Sequence, residues 1–197
     1  MPPEKLDALL LSHWHFDHCS DVLPLLFRLQ ACAAKPLDVY APVDESSMVR
    51  KVVQQSGAFC LHDVQKDDEV QIGEFSVRVF AARHPVPGVM YRVTDGEKTL
   101  CYTGDTNTVE GLTDFAQDAD LLLADGLKLY RKFPCAEVGH AVALSAAQTA
   151  ELARDARVKK LVITHLNPNI DPETLLKQAR AIRTDAELAH IGATYRV

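Results

Sequence analysis

The feature of this sequence that most restricts its fold is a group of three histidines and one aspartate that directly follows an apolar run. Residues 6–12 read LDALLLS, which is typical of a strand buried on both faces. The run is followed at once by His13, His15, Asp17 and His18. Such a concentration of ionisable groups is costly to bury without a partner, and a cation supplies one. Since imidazole nitrogen and carboxylate oxygen bind zinc, manganese and iron, the pattern predicts a metal site at the carboxyl end of a strand in an α/β sheet.

One group of this kind cannot surround a metal ion, so further ligands must come from elsewhere in the chain. Three candidates, His84, Asp105 and His165, each end a strand-like segment: SVRVFAAR, TLCYTG and KLVIT. Seven candidate ligands suit two metal ions that share a carboxylate and keep positions open for water. His62 and His190 have no partner in this pattern; we place them in a helix-to-strand connection and a C-terminal strand and expect structural or surface roles.

The rest of the chain alternates between helical and strand-like patterns. We expect helices over residues 21–33, 44–55, 109–117, 144–156 and 172–182. We expect strands over residues 37–41, in several pieces over 69–103, and over 119–124, 161–164 and 187–197. Asp44 and Ser145 are placed to cap helices, Pro172 to start one, and Asp95-Gly96 to form a hairpin turn. This order predicts a single α/β domain over residues 1–197.

Composition excludes several classes of protein. The chain has 197 residues, 47% of them hydrophobic and 24% charged, which is ordinary for a globular domain and excludes disorder, collagen-like repeats and coiled coils. No apolar run is long enough to span a membrane, and no secretory signal is present, so we expect a cytoplasmic protein with no membrane partner. The net charge of −6 disfavours broad nucleic-acid binding, although a local basic patch stays open.

The cysteines are predicted to be reduced. Their number, five, is odd, and they form no Cys-x-x-Cys pair. Cys32, Cys60 and Cys101 stand in apolar stretches, where we expect them to fill core space. Cys19 follows the histidine group, so we expect it near the metal without contact to it.

The seven candidate ligands and their order resemble the metallo-β-lactamase superfamily over nearly the whole chain. The resemblance implies an αββα sandwich and two ligand sets that share Asp105 as a bridge. The first set is His13, His15 and His84. The second set is Asp17, His18 and His165. Two divalent ions are implied, zinc first, with manganese or iron as alternatives. The commonest zinc β-lactamases carry cysteine where Asp105 stands, so the aspartate indicates the phosphodiesterase, thioesterase or lactonase branches.

Residues 118–166 are most similar to the ribonuclease Z-like phosphodiesterase branch. In that branch a histidine in the loop before a helix contacts the scissile phosphate, and His140 holds this place in GHAVALSAAQTAELA. The branch often has His-Glu-Ala-Thr after DLL. This chain reads DLLLADG, with Asp125 instead of the glutamate. The step from His84 to Asp105 leaves no room for a long tRNA-gripping arm.

The resemblance implies hydrolysis by a hydroxide held between two metal ions. Asp17 would hold or accept a proton, while His140, oriented by Asp125, would stabilise developing charge or protonate the leaving group. We expect a small anionic phosphodiester as substrate. A lactone or thioester is the alternative, and a non-catalytic metal-binding remnant is the third hypothesis.

The beginning of the chain departs from the family pattern. Members of the superfamily normally have several strands before the histidine-rich one, but here that strand begins within six residues of Met1. We therefore expect an N-terminally shortened fold with an open sheet edge and an uncovered apolar face. Such a surface favours a homo-oligomer.

Overall fold

The alternating segments of the sequence form two β-sheets that pack face to face. A computed structural model describes residues 2–127 and 143–197. The first sheet is wholly parallel, in the order β1-β2-β3. Its strands are β1 (Ala8–Leu10), β2 (Leu37–Ala41) and β3 (Phe59–Asp63).

The second sheet has seven strands in the order β10-β9-β8-β7-β6-β5-β4. They are β4 (Glu69–Ile72), β5 (Phe75–Ala81), β6 (Val89–Thr94), β7 (Thr99–Tyr102), β8 (Leu121–Asp125), β9 (Lys160–Thr164) and β10 (Glu187–Leu188). β4 to β7 run antiparallel, whereas β7 to β10 run parallel. The predicted Asp95-Gly96 turn joins β6 to β7, and its glycine has the left-handed φ of 95° that such a turn needs.

Helices cover the outer face of each sheet. They are α1 (Phe16–Cys19), α2 (Val22–Ala31), α3 (Met48–Gln55), α4 (Leu112–Ala116), α5 (Ala146–Asp155) and α6 (Pro172–Arg180). Buried residues of α2 and α3 pack against Val39 of the first sheet, and those of α4, α5 and α6 against Leu122 of the second. Between the sheets lie Val77, Val79 and Tyr91. This is the predicted αββα architecture. Within the described part of the chain, no helix is both long and apolar enough to cross a membrane.

Helix caps were predicted with mixed success. The Ser145 side chain accepts from the backbone N–H of Gln148, whose side chain accepts from the Ser145 backbone, so α5 begins in the predicted region. The prediction for Asp44 was wrong. Its carboxylate accepts from the Ser46 backbone N–H in a turn. The cap of α3 is Ser47, three residues after the predicted position.

Three other predictions need correction. Residues 59–63 form β3, so His62 lies in a strand and not in a connection. The C-terminal strand is only two residues long, and His190 lies beyond it. Cys101 is buried as expected, but Cys32 and Cys60 are exposed. Apolar neighbours in the sequence did not reveal whether a cysteine side chain faces the core or the solvent.

The end of β1 is fastened to the second sheet. The hydroxyl of Tyr91 donates to the carbonyl of Leu11 at 2.9 Å, and the backbone N–H of Val89 donates to the carbonyl of Ser12 at 2.8 Å. Gly104 approaches the Ser12 side chain so closely that a Cβ at this position would overlap it, and its φ is 52°. This close approach brings Asp105 beside His13, at 3.7 Å between Oδ2 and Nε2.

Replacing Gly104 with alanine is expected to lower the free energy of unfolding by about 2–4 kcal/mol. The left-handed conformation and the overlap with Ser12 both oppose the added methyl group. Denaturant unfolding followed by circular dichroism measures the change. Gly57→Ala is the matched control, because no atom lies within 4 Å of a Cβ there and its φ is not left-handed. Equal stability of the two variants would show that the Gly104 contact is unimportant.

Candidate metal centre

The candidate ligands meet because their strands end at one edge of the two sheets. His13 and His15 follow β1, and Asp17 and His18 lie in α1 just beyond. His84, Asp105 and His165 follow β5, β7 and β9. The structure therefore brings together all seven residues that the sequence singled out. They form two groups of close ligand atoms.

The first group consists of His13, His15, His84 and Asp105, whose ligand atoms all lie within 4.8 Å of one another. Nδ1 of His15 is 3.1 Å from Nε2 of both His13 and His84. The other ring nitrogen of His13 contacts the hydroxyl of Ser12 at 3.1 Å, which turns Nε2 of His13 towards the group. Three imidazole nitrogens thus face a common point, an arrangement suited to one cation.

The second group consists of Asp17, His18 and His165. Nε2 of His18 lies 3.5 Å from Oδ2 of Asp17 and 3.2 Å from Oδ2 of Asp105. Oδ1 of Asp105 lies 3.0 Å from Nδ1 of His165. Because Oδ2 of Asp105 also lies 3.7 Å from Nε2 of His13 in the first group, the Asp105 carboxylate stands between the two groups.

Two atoms at this junction are buried without a hydrogen bond. They are Nε2 of His18 and Oδ1 of Asp105. The nearby Nδ1 of His165 directs its hydrogen bond to Asp125 instead, at 3.1 Å. Within the described residues just one further buried side-chain atom is unsatisfied, Nε of Arg50. An unsatisfied buried polar atom costs roughly 1–3 kcal/mol, and a cation would satisfy both junction atoms at once. The donor set therefore fits divalent metal ions.

The ionisable groups of the centre shift one another's pKa values. Burial and the neighbouring His18 lower the pKa of His13 to about 3, so this imidazole is neutral and can offer a lone pair. Burial opposes the charged form of His165, but Asp105 and Asp125 outweigh it and raise the pKa of His165 to about 10. Burial raises the pKa of Asp105, whereas His165 and His18 lower it. The two histidines outweigh burial and hold the pKa of Asp105 below its ordinary value.

Asp125 supports the centre from behind. Its fully buried carboxylate accepts from the backbone N–H groups of Leu127 at 3.0 Å, Leu144 at 3.1 Å and Thr106 at 3.3 Å, and it contacts His165. Burial raises the pKa of Asp125, although His165 partly offsets that effect. His165 has a left-handed φ of 55°, a conformation that costs about 1–2 kcal/mol outside glycine, and the contact with Asp125 holds its ring in place.

The sequence predicted a different contact partner for Asp125. It expected Asp125 to orient His140, which lies outside the described residues. The contact with His165 was missed. A signal for it existed, because Asp125 ends β8 and His165 directly follows β9, and these strands are neighbours in register. Cys19 lies beside the centre in sequence, but its buried thiol donates to the carbonyl of Trp14 and joins neither group.

Comparison with known proteins gives consistent matches over most of the chain. Residues 2–166 match the family model described as the beta-lactamase superfamily domain. A probable metallo-hydrolase of Bacillus subtilis, YhfI, is 29% identical over 187 residues, which cover 92% of this chain and 75% of that protein. The crystal structure of YhfI superposes with a TM-score of 0.84 at 27% identity, over 96% of this chain and 76% of that one.

Two further matches are named as a ribonuclease and a diphosphatase. Ribonuclease Z of Methanopyrus kandleri is 27% identical over 223 residues, covering 98% of this chain and 79% of that protein. A diphosphatase from the PhnP family superposes with a TM-score of 0.74 at 18% identity, over 98% of this chain and 72% of that one. The latter likeness concerns the fold alone.

Replacing Asp125 with asparagine is expected to lower the free energy of unfolding by about 1–3 kcal/mol. The carboxylate accepts three backbone N–H groups, and an amide would turn a donor towards at least one of them. Denaturant unfolding of metal-free protein measures this. Asp118→Asn is the matched control and should change stability little, because Asp118 is exposed and paired with Arg157. A neutral effect at Asp125 would contradict the supporting role.

Proposed function

The chain belongs to the metallo-β-lactamase superfamily, and from that premise we propose that it hydrolyses a small anionic phosphodiester with two divalent metal ions, zinc first among the candidates. The observation that carries the proposal is the pair of ligand groups joined by Asp105, with two unsatisfied buried atoms at the junction. We assign His13, His15 and His84 to the first ion. We assign Asp17, His18 and His165 to the second, with Asp105 shared between them.

Each protein group has a defined task in this proposal. When bound, the two ions would lower the pKa of a water molecule and polarise the substrate. Asp17 is the exposed member of the centre, with 71% of its side chain open to solvent, so its carboxylate can accept a proton from water and release it. Asp105 and His13 are nearly fully buried, and they keep the polar face of the site in place.

A cavity beside the centre fits a small organic group. It has a volume of about 540 Å³, and His84 forms part of its wall together with Val43, Val64, Pro85 and Lys66. The apolar residues suit the alcohol portion of a substrate. The exposed ammonium group of Lys66 suits its negative charge, because its contact with Asp67 is long at 4.0 Å. These features favour a small anionic substrate over a long nucleic acid.

His140 distinguishes a phosphodiester from the alternative substrates. We assign it to stabilise developing negative charge on the phosphoryl group or to protonate the leaving oxygen. The name of the relative ribonuclease Z supports this substrate class, as does the sequence of residues 118–166. Hydrolysis of a lactone or thioester would depend less on His140, because the metal ions alone would polarise the carbonyl group of such a substrate.

Asp105→Asn is expected to reduce the metal content of the protein from two ions per chain to at most one. The change keeps the shape of the side chain but removes the negative charge between the two ligand groups. Dialysis against zinc followed by elemental analysis measures it. Asp114→Asn, an exposed position in α4, should retain two ions. Two ions in Asp105→Asn would contradict the shared-ligand assignment.

His140→Ala is expected to keep two metal ions and to lower kcat for bis(p-nitrophenyl) phosphate by tenfold or more. General acid–base assistance contributes about 10²–10⁴-fold, and the metal ligands remain intact. His190→Ala is the control, because that histidine is exposed and lies near the C-terminus. Unchanged phosphodiester turnover in His140→Ala, with a lactone or thioester hydrolysed faster than the phosphodiester, would favour the alternative substrates.

A further inference from the structure

A separate group of potential metal ligands lies on the first sheet. It consists of Asp38 on β2 with Cys60 and His62 on β3, and we refer to it as the strand cluster. The parallel register pairs Asp38 with Cys60 and Tyr40 with His62. Side chains two residues apart on a strand share a face, so all four project from the same side of the sheet. The sequence predicted Cys60 to fill core space, and the structure contradicts this because Cys60 is exposed. His62 is partly exposed, as expected of a structural or surface residue, and it pairs with Asp38.

The three side chains of the strand cluster are already close to one another. Nε2 of His62 lies 2.6 Å from Oδ1 of Asp38, and the three ligand atoms lie within 4.8 Å of each other. The ring of Tyr40 stacks on the imidazole of His62, with centroids 4.6 Å apart and planes inclined by 17°. This stacking holds the imidazole in an orientation that presents Nε2 to its neighbours.

The strand cluster is open to solvent and distinct from the centre at the other end of the sheet. The side chains of Asp38 and His62 are 46% and 39% exposed, and Cys60 is exposed. Asp38 pairs with Ala8, five residues before His13 along the strand direction. His62 pairs with Tyr40, which pairs with Leu10, three residues before His13. At about 3.3 Å per residue, the two sites are on the order of 10–15 Å apart. Ions in solution can therefore reach the strand cluster independently.

No protein cation neutralises this position in the described part of the chain. Among these residues Asp38 forms its salt bridge with His62, whose ring is charged only when it is protonated. The carboxylate of Asp38 therefore supplies a negative charge that favours a bound cation.

We propose that Asp38, Cys60 and His62 bind a divalent cation of the zinc class through one oxygen, one sulfur and one nitrogen atom. Zinc bonds of about 2.0–2.3 Å place ligand atoms roughly 3.3–3.8 Å apart on a tetrahedron, which rotations of exposed side chains can reach. The Cys60 thiol would lose its proton to solvent on binding, and the fourth position would hold water. The ion would tie β2 to β3.

Cobalt(II) tests this proposal because the two sites differ in sulfur content. The main centre offers nitrogen and oxygen ligands, so a thiolate-to-cobalt charge-transfer band in the near ultraviolet reports on the strand cluster. Titration of reduced, metal-free full-length protein should give this band at one equivalent per chain, beyond the cobalt taken up by the main centre. Absence of the band after the main centre is saturated would overturn the proposal.

Variants assign the band to its residues. Cys60→Ser should abolish it, while Asp38→Asn and His62→Ala should weaken the cobalt affinity of this site about tenfold or more. Cys32→Ser is the matched control, since Cys32 is also exposed but belongs to no ligand group, and it should keep the full band. A band that persists in Cys60→Ser would overturn the assignment. Circular dichroism checks that each variant is folded.

Discussion

The structure depends on the cost of burying the Asp105 carboxylate among histidines. Its side chain is 4% exposed, and His13, His18 and His165 lie within 3.7 Å of its oxygens. One of its oxygens and one nitrogen of His18 have no hydrogen bond. A folded protein does not retain such a group without compensation, and divalent cations compensate it more completely than a shared proton can. The arrangement of this edge of the sheets therefore suits the binding of divalent cations.

The two sheets bring residues that are distant in the sequence together in one site. The ligands are separated by up to 152 positions, from His13 to His165, yet each follows a strand within a few residues or lies in α1 just beyond β1. The sheets are locked together there by the Tyr91 hydroxyl and by Gly104, which has room for no side chain. Asp125 extends this support to the last ligand through β8 and β9. The centre is thus built on strand ends, which hold side chains more rigidly than free loops do.

Much of the fold and the site could be predicted, because a metal needs several ligands of a few chemical types and these stand out in a sequence. The same local reasoning failed where three-dimensional context decides. Asp44 and Ser47 are both good cap residues, and only the path of the chain selects between them. Cys60 stands in an apolar stretch yet faces solvent. The contact of Asp125 with His165 depends on strand order, which local patterns do not reveal.

The central claim, that these seven residues form a two-metal centre, is tested most directly by anomalous diffraction from crystals grown with zinc. Data on either side of the zinc absorption edge locate each ion without reference to activity. The account predicts two anomalous peaks on either side of the Asp105 carboxylate, one among His13, His15 and His84 and one among Asp17, His18 and His165. No peak at this position, with the imidazoles and Asp105 in contact with one another in zinc-containing crystals, would contradict it.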